Sequence, residues 1–227
     1  MIGILNAFGF PGAQEDAEAA AYEVLIRQFA EKIAASANIK IYRVYSGEFP
    51  EDVNECSIWL ITGSPASVYD DLDWVNRLTN FTGEILRSQG KLIGICFGHQ
   101  MIAHAAGGKV ERSSKGWGLG VREFDVYVPV LQKYLGQKCS LYFSHRDQVV
   151  EVPSGAKILG GDAFCPVQIM ALGERVISFQ GHPEFDYNFM RGRLERIGLG
   201  NGIPMTETVS NQSVVSLLRE FTEARRP

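Results

Sequence analysis

A cysteine lies between two glycines in the segment Gly94-Ile95-Cys96-Phe97-Gly98, where the apolar run 92–95 ends and a helix is predicted to begin. Glycines on both sides allow the tight strand-to-helix turn, the nucleophile elbow, that lifts a reactive side chain clear of a sheet. The amides and partial positive charge at the start of the helix favour a thiolate, and the amide of Phe97 is free to receive an oxyanion. The segment therefore predicts that Cys96 is a nucleophile.

A base for this thiolate is predicted at His182, in a segment that follows the apolar run 176–179. If the chain stays extended there, residues two apart face the same way and Glu184 can orient the imidazole, although Pro183 leaves the local path open. A Cys–His pair whose base is oriented by a third group is the general form of an activated nucleophile. Two other histidines, His99 and His104, are less favoured as the base, because both fall in the helix after Cys96 and would point away from it.

The motifs Gly-Ile-Cys-Phe-Gly-His-Gln and Gln-Gly-His-Pro-Glu, in this order, resemble those of the class I (triad) glutamine amidotransferases. The segment Ile61-Thr62-Gly63-Ser64-Pro65 is similar to the family's turn that donates a second oxyanion-hole amide. Aligned on the proline, the resemblance makes the amide of Ser64 the partner of the Phe97 amide. This chain has Gly-Ser-Pro where the family more often has Gly-Gly-Pro or Asn-Gly-Pro.

A further segment, Ser-His-Arg-Asp at 144–147, resembles the family's Ser-His-Gly-Asp, whose backbone helps to hold the α-amino and α-carboxylate groups of glutamine. An arginine here replaces the usual glycine. The side chain of the histidine is either structural or close to substrate, and we favour the structural interpretation. The resemblance implies substrate contacts at five positions: Gly63, Gln100, Ser144, His145 and Arg146.

The chemistry that the resemblance implies is hydrolysis of the γ-glutamyl amide bond of glutamine or a γ-glutamyl compound, through a γ-glutamyl thioester and without a cofactor. Ile-Thr-Gly-Ser, Lys-Gly-Trp and Ser-His-x-Asp together are most similar to stand-alone proteins related to the glutaminase domain of GMP synthase, which include plant γ-glutamyl peptidases. A stand-alone hydrolase acting on a small molecule is therefore favoured. The alternatives are a glutaminase subunit that delivers ammonia to a separate synthetase, and a non-catalytic binding or regulatory module. A homo-oligomer is compatible with each.

The composition of the chain limits the classes of partner that it is expected to bind. With 227 residues, a formal net charge of −4 and a pI near 5.6, the chain disfavours nucleic acid and anionic membranes as partners. No apolar run is long enough to cross a bilayer, and the first residues predict a strand rather than a signal peptide. The four cysteines are widely dispersed, which favours a protein of the reducing cytoplasm over one that is held together by disulfide bonds. No metal is expected; the pair Asp70-Asp71 is interpreted as a helix N-cap and first turn.

Strand-like and helix-like segments alternate, which predicts one α/β domain over residues 1–227, with a doubly wound, mostly parallel central sheet and flanking helices. The resemblance to the amidotransferases implies that this fold is flavodoxin-like. A β-rich part from Gly120 to Phe179 predicts an antiparallel extension packed on the main sheet. Within the first helix, Tyr22 belongs to the face predicted to enter the core. Trp117 is predicted as core or pocket wall. The predicted strands are 2–5, 39–44, 57–61, 92–95, 121–128, 140–143, 156–159, 167–171 and 176–179, and the predicted helices are about 16–35, 72–88, 98–106, from 185, and 212–224.

Overall fold

Strands and helices alternate through the first half of the chain and strands dominate the second half in the computed structural model, which describes residues 1–9, 17–199 and 202–224. The α/β fold class is confirmed. The strands are β1 Ile2–Asn6, β2 Ile39–Arg43, β3 Ile58–Ile61, β4 Lys91–Ile95, β5 Lys109–Arg112, β6 Gly118–Val126, β7 Lys138–His145, β8 Asp147–Glu151, β9 Ala156–Gly161, β10 Ile169–Leu172 and β11 Val176–Phe179. The helices are α1 Ala17–Ile33, α2 Asp73–Arg87, α3 Phe97–Ala105, α4 Pro129–Leu135, α5 Tyr187–Arg196 and α6 Asn211–Glu223.

The central sheet has nine strands in the order β2-β1-β3-β4-β11-β10-β9-β6-β7. The pairs from β2 to β11 are parallel, and those from β11 to β7 are antiparallel. Because β3, β4 and β11 are neighbouring parallel strands, the segments that follow them emerge at one edge of the sheet. That edge is where open α/β sheets bind ligands.

The predicted antiparallel extension is wrong in its placement. Strands β6, β7, β9 and β10 do not pack on the main sheet but continue it through hydrogen bonds, starting at the β10–β11 pair. The predicted strand 176–179 belongs to the parallel part, because Val176 to Phe179 pair with Leu92 to Ile95. A separate two-stranded sheet, β5 with β8, was not predicted as a unit.

Two apolar cores lie on opposite faces of the sheet. Successive strand residues alternate between them: Ile58 and Leu60 contribute to one core, Trp59 and Ile61 to the other. The first core is covered by residues of α1, α4, α5 and α6, and the second by residues of α2 and α3. Burial on both faces explains why β1, β3 and β4 are uninterrupted runs of buried residues rather than alternating ones.

Some local predictions need correction. Asp70 and Asp71 do not cap α2: its N-cap is Leu72, while Asp70 accepts a hydrogen bond from the Ser67 amide within the preceding turn. Helix α5 begins after Phe185, because Asp186 caps it by accepting a hydrogen bond from the Phe189 amide. Helix α4 was missed. No helix in the described ranges is both long and apolar enough to cross a membrane.

Two glycines permit the tight turn into α3. A Cβ at Gly98 would lie 2.2 Å from the carbonyl oxygen of Ile61, and one at Gly94 would lie 2.6 Å from the carbonyl oxygen of Gly98. Both contacts involve backbone atoms, which cannot rotate away. The sequence Gly-x-Cys-x-Gly is therefore required by packing between β3, β4 and α3.

Gly98→Ala is expected to lower the free energy of unfolding by about 3 kcal/mol, the upper range for overpacking a core, because the new methyl group meets backbone. The matched control is Gly192→Ala, since a Cβ at Gly192 meets nothing within 4 Å. Gly192 lies inside α5, so alanine there should instead raise stability by about 0.5–1 kcal/mol. Urea unfolding measures the free energy of unfolding of both variants, which should change in opposite directions. Equal changes in the two variants would contradict the packing argument.

Candidate active site

The nucleophile candidate has the most unusual backbone of the site. Cys96 has φ 52° and ψ −103°, and among the residues that the structure describes it alone, glycines aside, has positive φ. Its amide donates to the Phe179 carbonyl at 2.8 Å, while the Gly98 amide donates to the Thr62 carbonyl at 3.0 Å. Backbone strain of this kind is found mainly where function requires it. The elbow is thus held from both neighbouring strands, with the sulfur at the carboxyl edge of the sheet.

The segment after β11 brings His182 to this edge. Its amide donates to the Tyr142 carbonyl at 2.8 Å, and its Nδ1 lies 2.8 Å from Oε1 of Glu184. Both side chains are buried. The Phe185 ring stacks on the imidazole with 3.9 Å between centroids and 8° between planes. Glu184 and Phe185 thus fix the ring, and Cys96 lies nearby, since a Cβ at Gly63 would lie 3.0 Å from Cε1 of His182 and 3.8 Å from Cβ of Cys96.

The charge state of His182 follows from these neighbours. Burial alone would lower its pKa, but the charges of Glu184 and Cys96 and hydrogen bonds to both outweigh burial and raise the pKa to about 9. An imidazolium is also favoured over the face of Phe185. The site therefore holds a protonated imidazole beside the sulfur at neutral pH, which is the pairing that favours a thiolate.

We expect His182 to titrate near pH 9, and at a lower pH in Cys96→Ala, because that variant removes one of the partners that offset burial. The pKa of His182 in the folded state lies above its unfolded value. The interactions of protonated His182 with Glu184 and Cys96 therefore stabilise the fold fully below pH 6.5, and this contribution is lost as the pH rises through about 9. Imidazole NMR titration measures the shift. Cys139→Ala, in another buried cysteine, should leave the titration unchanged. An unaltered His182 titration in Cys96→Ala would contradict the coupling.

The two proposed oxyanion donors come from the turn after β3 and the start of α3. Phe97 is the first residue of α3, so its amide has no partner within the helix. Ser64 accepts a hydrogen bond from the Ala66 amide at 3.1 Å, which closes the turn around Pro65. Serine in place of glycine costs no strain here, because Ser64 is not among the positive-φ residues. The oxyanion role of the two amides stays a prediction.

Gly63 has a structural role between Tyr22, His182 and Cys96. Its amide donates to the Tyr22 hydroxyl at 3.3 Å, and a Cβ at this position would lie 3.0 Å from Cε1 of His182 and 3.8 Å from Cβ of Cys96. It does not line the cavity that reaches Cys96. Glycine there leaves room for His182 and Cys96 to approach each other, and a substrate contact by Gly63 stays a prediction.

Tyr22 is a site residue that the sequence reasoning missed. Its hydroxyl donates to Oε1 of Glu184 at 3.0 Å and accepts from the Gly63 amide, so it joins the carboxylate to the turn that carries Ser64. The side chain is fully buried, and burial together with the Glu184 charge raises its pKa well above the usual value. Tyrosine at a core position of α1 was the available clue, because a buried hydroxyl requires a partner.

Tyr22→Phe is expected to reduce turnover about 10-fold with little change in KM, since loss of one hydrogen bond to a charged group amounts to about 1.5–3 kcal/mol. The pKa of His182 should change with it, which a purely structural role would not produce. The control is Tyr42→Phe, which removes an equivalent hydrogen bond of 2.7 Å to Glu55 away from this site. Equal effects of both variants on turnover would argue for stability alone.

A cavity of about 300 Å³ opens onto Cys96. Gln100 lies in its wall and donates from Nε2 to the Asp147 carbonyl at 2.8 Å and to Oε1 of Gln180 at 3.1 Å. With both donors engaged inside the protein, Gln100 can offer a ligand only its carbonyl oxygen. An acceptor of this kind suits an ammonium group.

The Ser-His-Arg-Asp segment forms another part of the wall. Ser144 accepts a hydrogen bond from Nε of Arg193 at 2.9 Å, and Nδ1 of His145 lies 3.1 Å from the Asp147 carbonyl. Burial, first among several causes, lowers the pKa of His145 to about 4, so it is neutral. Arg146 is exposed and lies over the Trp117 ring. The structure thus brings Ser144, His145 and Arg146 to the cavity and makes Trp117 a wall residue.

The two histidines of α3, His99 and His104, are the candidates that the sequence made less favoured as the base. Nδ1 of His99 lies 2.8 Å from the Ser178 hydroxyl, and burial lowers the pKa of His99 to about 3. His104 lies half-buried in the last turn of α3. In the described ranges no group of three or more His, Cys, Asp or Glu side chains is arranged to hold a metal ion.

Comparison with known proteins assigns the chain to a family. The profile of the family "Glutamine amidotransferase class-I" matches residues 15–195, which include both the cysteine and the histidine segments. The chain belongs to this family. Among the relatives of this class I amidotransferase chain, gamma-glutamyl peptidase 2 of Arabidopsis thaliana is 32% identical over 163 residues, 69% of this chain and 66% of the peptidase.

A second sequence relative and a solved structure are also similar to this chain. The glutamine-hydrolyzing GMP synthase of Azoarcus sp. (strain BH72) is 29% identical over 212 residues, 83% of this chain and 40% of the synthase. A crystal structure of a glutamine amido transferase from Methylobacillus flagellatus superposes with a TM-score of 0.78 at 19% identity, over 100% of this chain and 96% of that one. The class I amidotransferase chain thus spans about two thirds of the peptidase and less than half of the synthase that it matches.

Proposed function

We propose that this protein is a cysteine-dependent hydrolase of γ-glutamyl compounds, with Cys96 as nucleophile, His182 as acid and base, and Glu184 as the group that orients His182. The observation that carries the proposal is the placing of Cys96 on a positive-φ elbow at the cavity, near His182, whose Nδ1 lies 2.8 Å from Glu184. The similarity to gamma-glutamyl peptidase 2 supports the substrate class.

In the proposed mechanism the Cys96 thiolate attacks the γ-carbonyl carbon, and the amides of Ser64 and Phe97 donate to the oxyanion that forms. When the tetrahedral intermediate collapses, the C–N bond breaks and the leaving nitrogen takes the proton of His182. His182, now neutral, removes a proton from water, which attacks the thioester carbonyl. The C–S bond then breaks, glutamate leaves, and the thiolate and imidazolium are restored.

The acceptor oxygen of Gln100 is proposed to bind the α-ammonium of the glutamyl group, because its amide nitrogen is already engaged. The backbone of the Ser144–Arg146 segment would hold the α-carboxylate. These contacts place the γ-carbonyl over the sulfur and account for recognition of the glutamyl part, which is common to glutamine and to γ-glutamyl peptides.

The experiment is glutamate release by the purified protein from glutamine, γ-glutamyl dipeptides and glutathione, with hydroxylamine added in parallel. We expect cleavage of the peptides in preference to glutamine, and formation of γ-glutamyl hydroxamate, since hydroxylamine intercepts a thioester. Cleavage without hydroxamate would argue against the thioester. Failure to cleave any of these compounds would refute a stand-alone hydrolase.

A second candidate is a glutaminase subunit that supplies ammonia to a synthetase. It is favoured by the match to a GMP synthase over 83% of this chain. This candidate predicts that glutamine is hydrolysed slowly or not at all until the synthetase is added, whereas the hydrolase needs no partner. The same assay with and without cell extract separates the two.

A further inference from the structure

Arg146 stands at the place where this chain departs from its family's Ser-His-Gly-Asp pattern. Its Cζ lies 4.8 Å from the centre of the Trp117 ring, and both residues line the cavity that reaches Cys96. Trp117 is 44% exposed, so its ring lies at the open side of the cavity. Stacking on an aromatic face holds a guanidinium in place while its N–H groups remain available.

The charges around the cavity distinguish Arg146 from the other cations. Arg193 and Arg196 also line it, but both are paired with Glu18, at 3.0 and 3.1 Å. The remaining carboxylate of the wall, Asp147, accepts a hydrogen bond of 2.5 Å from the Ser67 hydroxyl. Within the described part of the chain Arg146 makes no ion pair. An oriented guanidinium without a carboxylate is a receptor for an anion, and its planar fork matches a carboxylate.

The position of Arg146 indicates which carboxylate. The proposed contacts of the glutamyl group use Gln100 and the backbone of the Ser-His-Arg-Asp segment, so the side chain of Arg146 is left for another part of the ligand. Its exposure places it toward solvent, where the group that leaves from the γ-carbonyl must extend. Glutamine, whose leaving group is ammonia, has nothing to place there.

Building on the proposed hydrolase function, we propose that Arg146, held by Trp117, binds the carboxylate of the leaving amino acid or peptide. The preferred substrates are then γ-glutamyl peptides with a free carboxylate on the leaving side. Glutamine and γ-glutamyl amines are poorer substrates because they leave this subsite unfilled. Arg146 is thus a specificity-determining residue rather than part of the bond-breaking machinery.

The test compares γ-glutamyl-alanine with γ-glutamyl-alaninamide, which differ only in that carboxylate, and with glutamine. For Arg146→Gln we expect kcat/KM to fall about 10-fold or more for the acid, as for loss of a hydrogen bond to a charged group, with little change for the amide and glutamine. Arg146→Lys should recover part of the loss, since it restores charge but not the fork. Arg191→Gln is the control: it removes an exposed arginine paired with Glu195, outside the cavity wall.

A binding measurement keeps the inference separate from turnover. Calorimetry with the Cys96→Ala variant should give about 10-fold tighter binding of γ-glutamyl-alanine than of its amide, and the difference should vanish in Cys96→Ala/Arg146→Gln. Equal affinity of the Cys96→Ala variant for γ-glutamyl-alanine and for its amide would overturn the subsite. An equal loss of kcat/KM for all three substrates in Arg146→Gln would overturn it as well. Hydrolysis of γ-glutamyl compounds without any preference for the acid would overturn it too, while leaving the proposed hydrolase intact. A wild-type protein that shows the affinity difference but no hydrolysis would refute the hydrolase and retain the subsite.

Discussion

Cys96→Ala is expected to lower γ-glutamyl hydrolysis by about 10⁴-fold or more, because no other side chain can form the thioester. Folding should be retained, since Cys96 contributes only a small side chain to the core. Glutamate release, measured beside urea unfolding of the same variant, separates loss of chemistry from loss of structure. Activity that survives the substitution would exclude Cys96 as the nucleophile.

The other cysteines provide the matched controls. Cys139 and Cys165 are completely buried, and burial raises the pKa of each thiol to about 12, so neither is a thiolate at neutral pH. Cys139→Ala and Cys165→Ala should therefore retain activity, within the limits of any destabilisation. Iodoacetamide at neutral pH should modify Cys96 before either of them, and peptide mass spectrometry identifies the site. Protection of Cys96 by a γ-glutamyl peptide would connect the modified thiol with the substrate cavity.

Glu184→Gln is expected to reduce kcat by about 10³-fold while KM changes little, because the variant loses the charge that holds His182 in its reactive orientation and protonation state. The amide can donate to Nδ1 and so stabilise the wrong tautomer, with the proton on the nitrogen that faces the sulfur. The pKa of His182 should fall, since Glu184 provides the largest effect that opposes burial. The pH–rate profile and an imidazole NMR titration measure both consequences.

Asp186→Asn is the control for this substitution. It makes the same change from carboxylate to amide two residues away, at an exposed N-cap whose oxygen accepts from the Phe189 amide at 2.7 Å. Asparagine is an equally good N-cap, so neither stability nor kcat should change much. If Glu184→Gln proved as active as Asp186→Asn, orientation of His182 would rest on Phe185 and the backbone instead.

The parts of the fold and site that sequence predicted are those with local patterns. The elbow around Cys96 is specified by glycines on both sides, and the parallel strands by short apolar runs. The 182–184 spacing predicted the contact between His182 and Glu184, because it depends only on an extended backbone. These features need no knowledge of which strands are neighbours.

The features that the sequence could not predict depend on contacts between residues that are far apart in the chain. Tyr22 was placed correctly in the core of α1, but its hydroxyl reaches Glu184, 162 residues further along the chain. The pair of Glu18 and Arg193 spans 175 residues. Helix α4 is short and has no side-chain cap, and the local signals that could have found it are Pro129 at its start and Gly136 at its C-cap. The family motif predicted a substrate contact for Gly63, but the close packing of Gly63 against His182 and Cys96 depends on strands that are distant in the chain.

The pairing of β4 with β11 also determines when the proposed Cys96–His182 pair can form during biosynthesis. These strands are adjacent in the sheet, yet β5 to β10 and α3 and α4 lie between them in the chain. A nascent chain that has emerged only through the elbow carries Cys96 without its imidazole. Such long-range pairing is a late event in folding, because the intervening loop must first close. The proposed Cys96–His182 pair therefore cannot form in the early stages of synthesis, and it forms only when the sheet is complete.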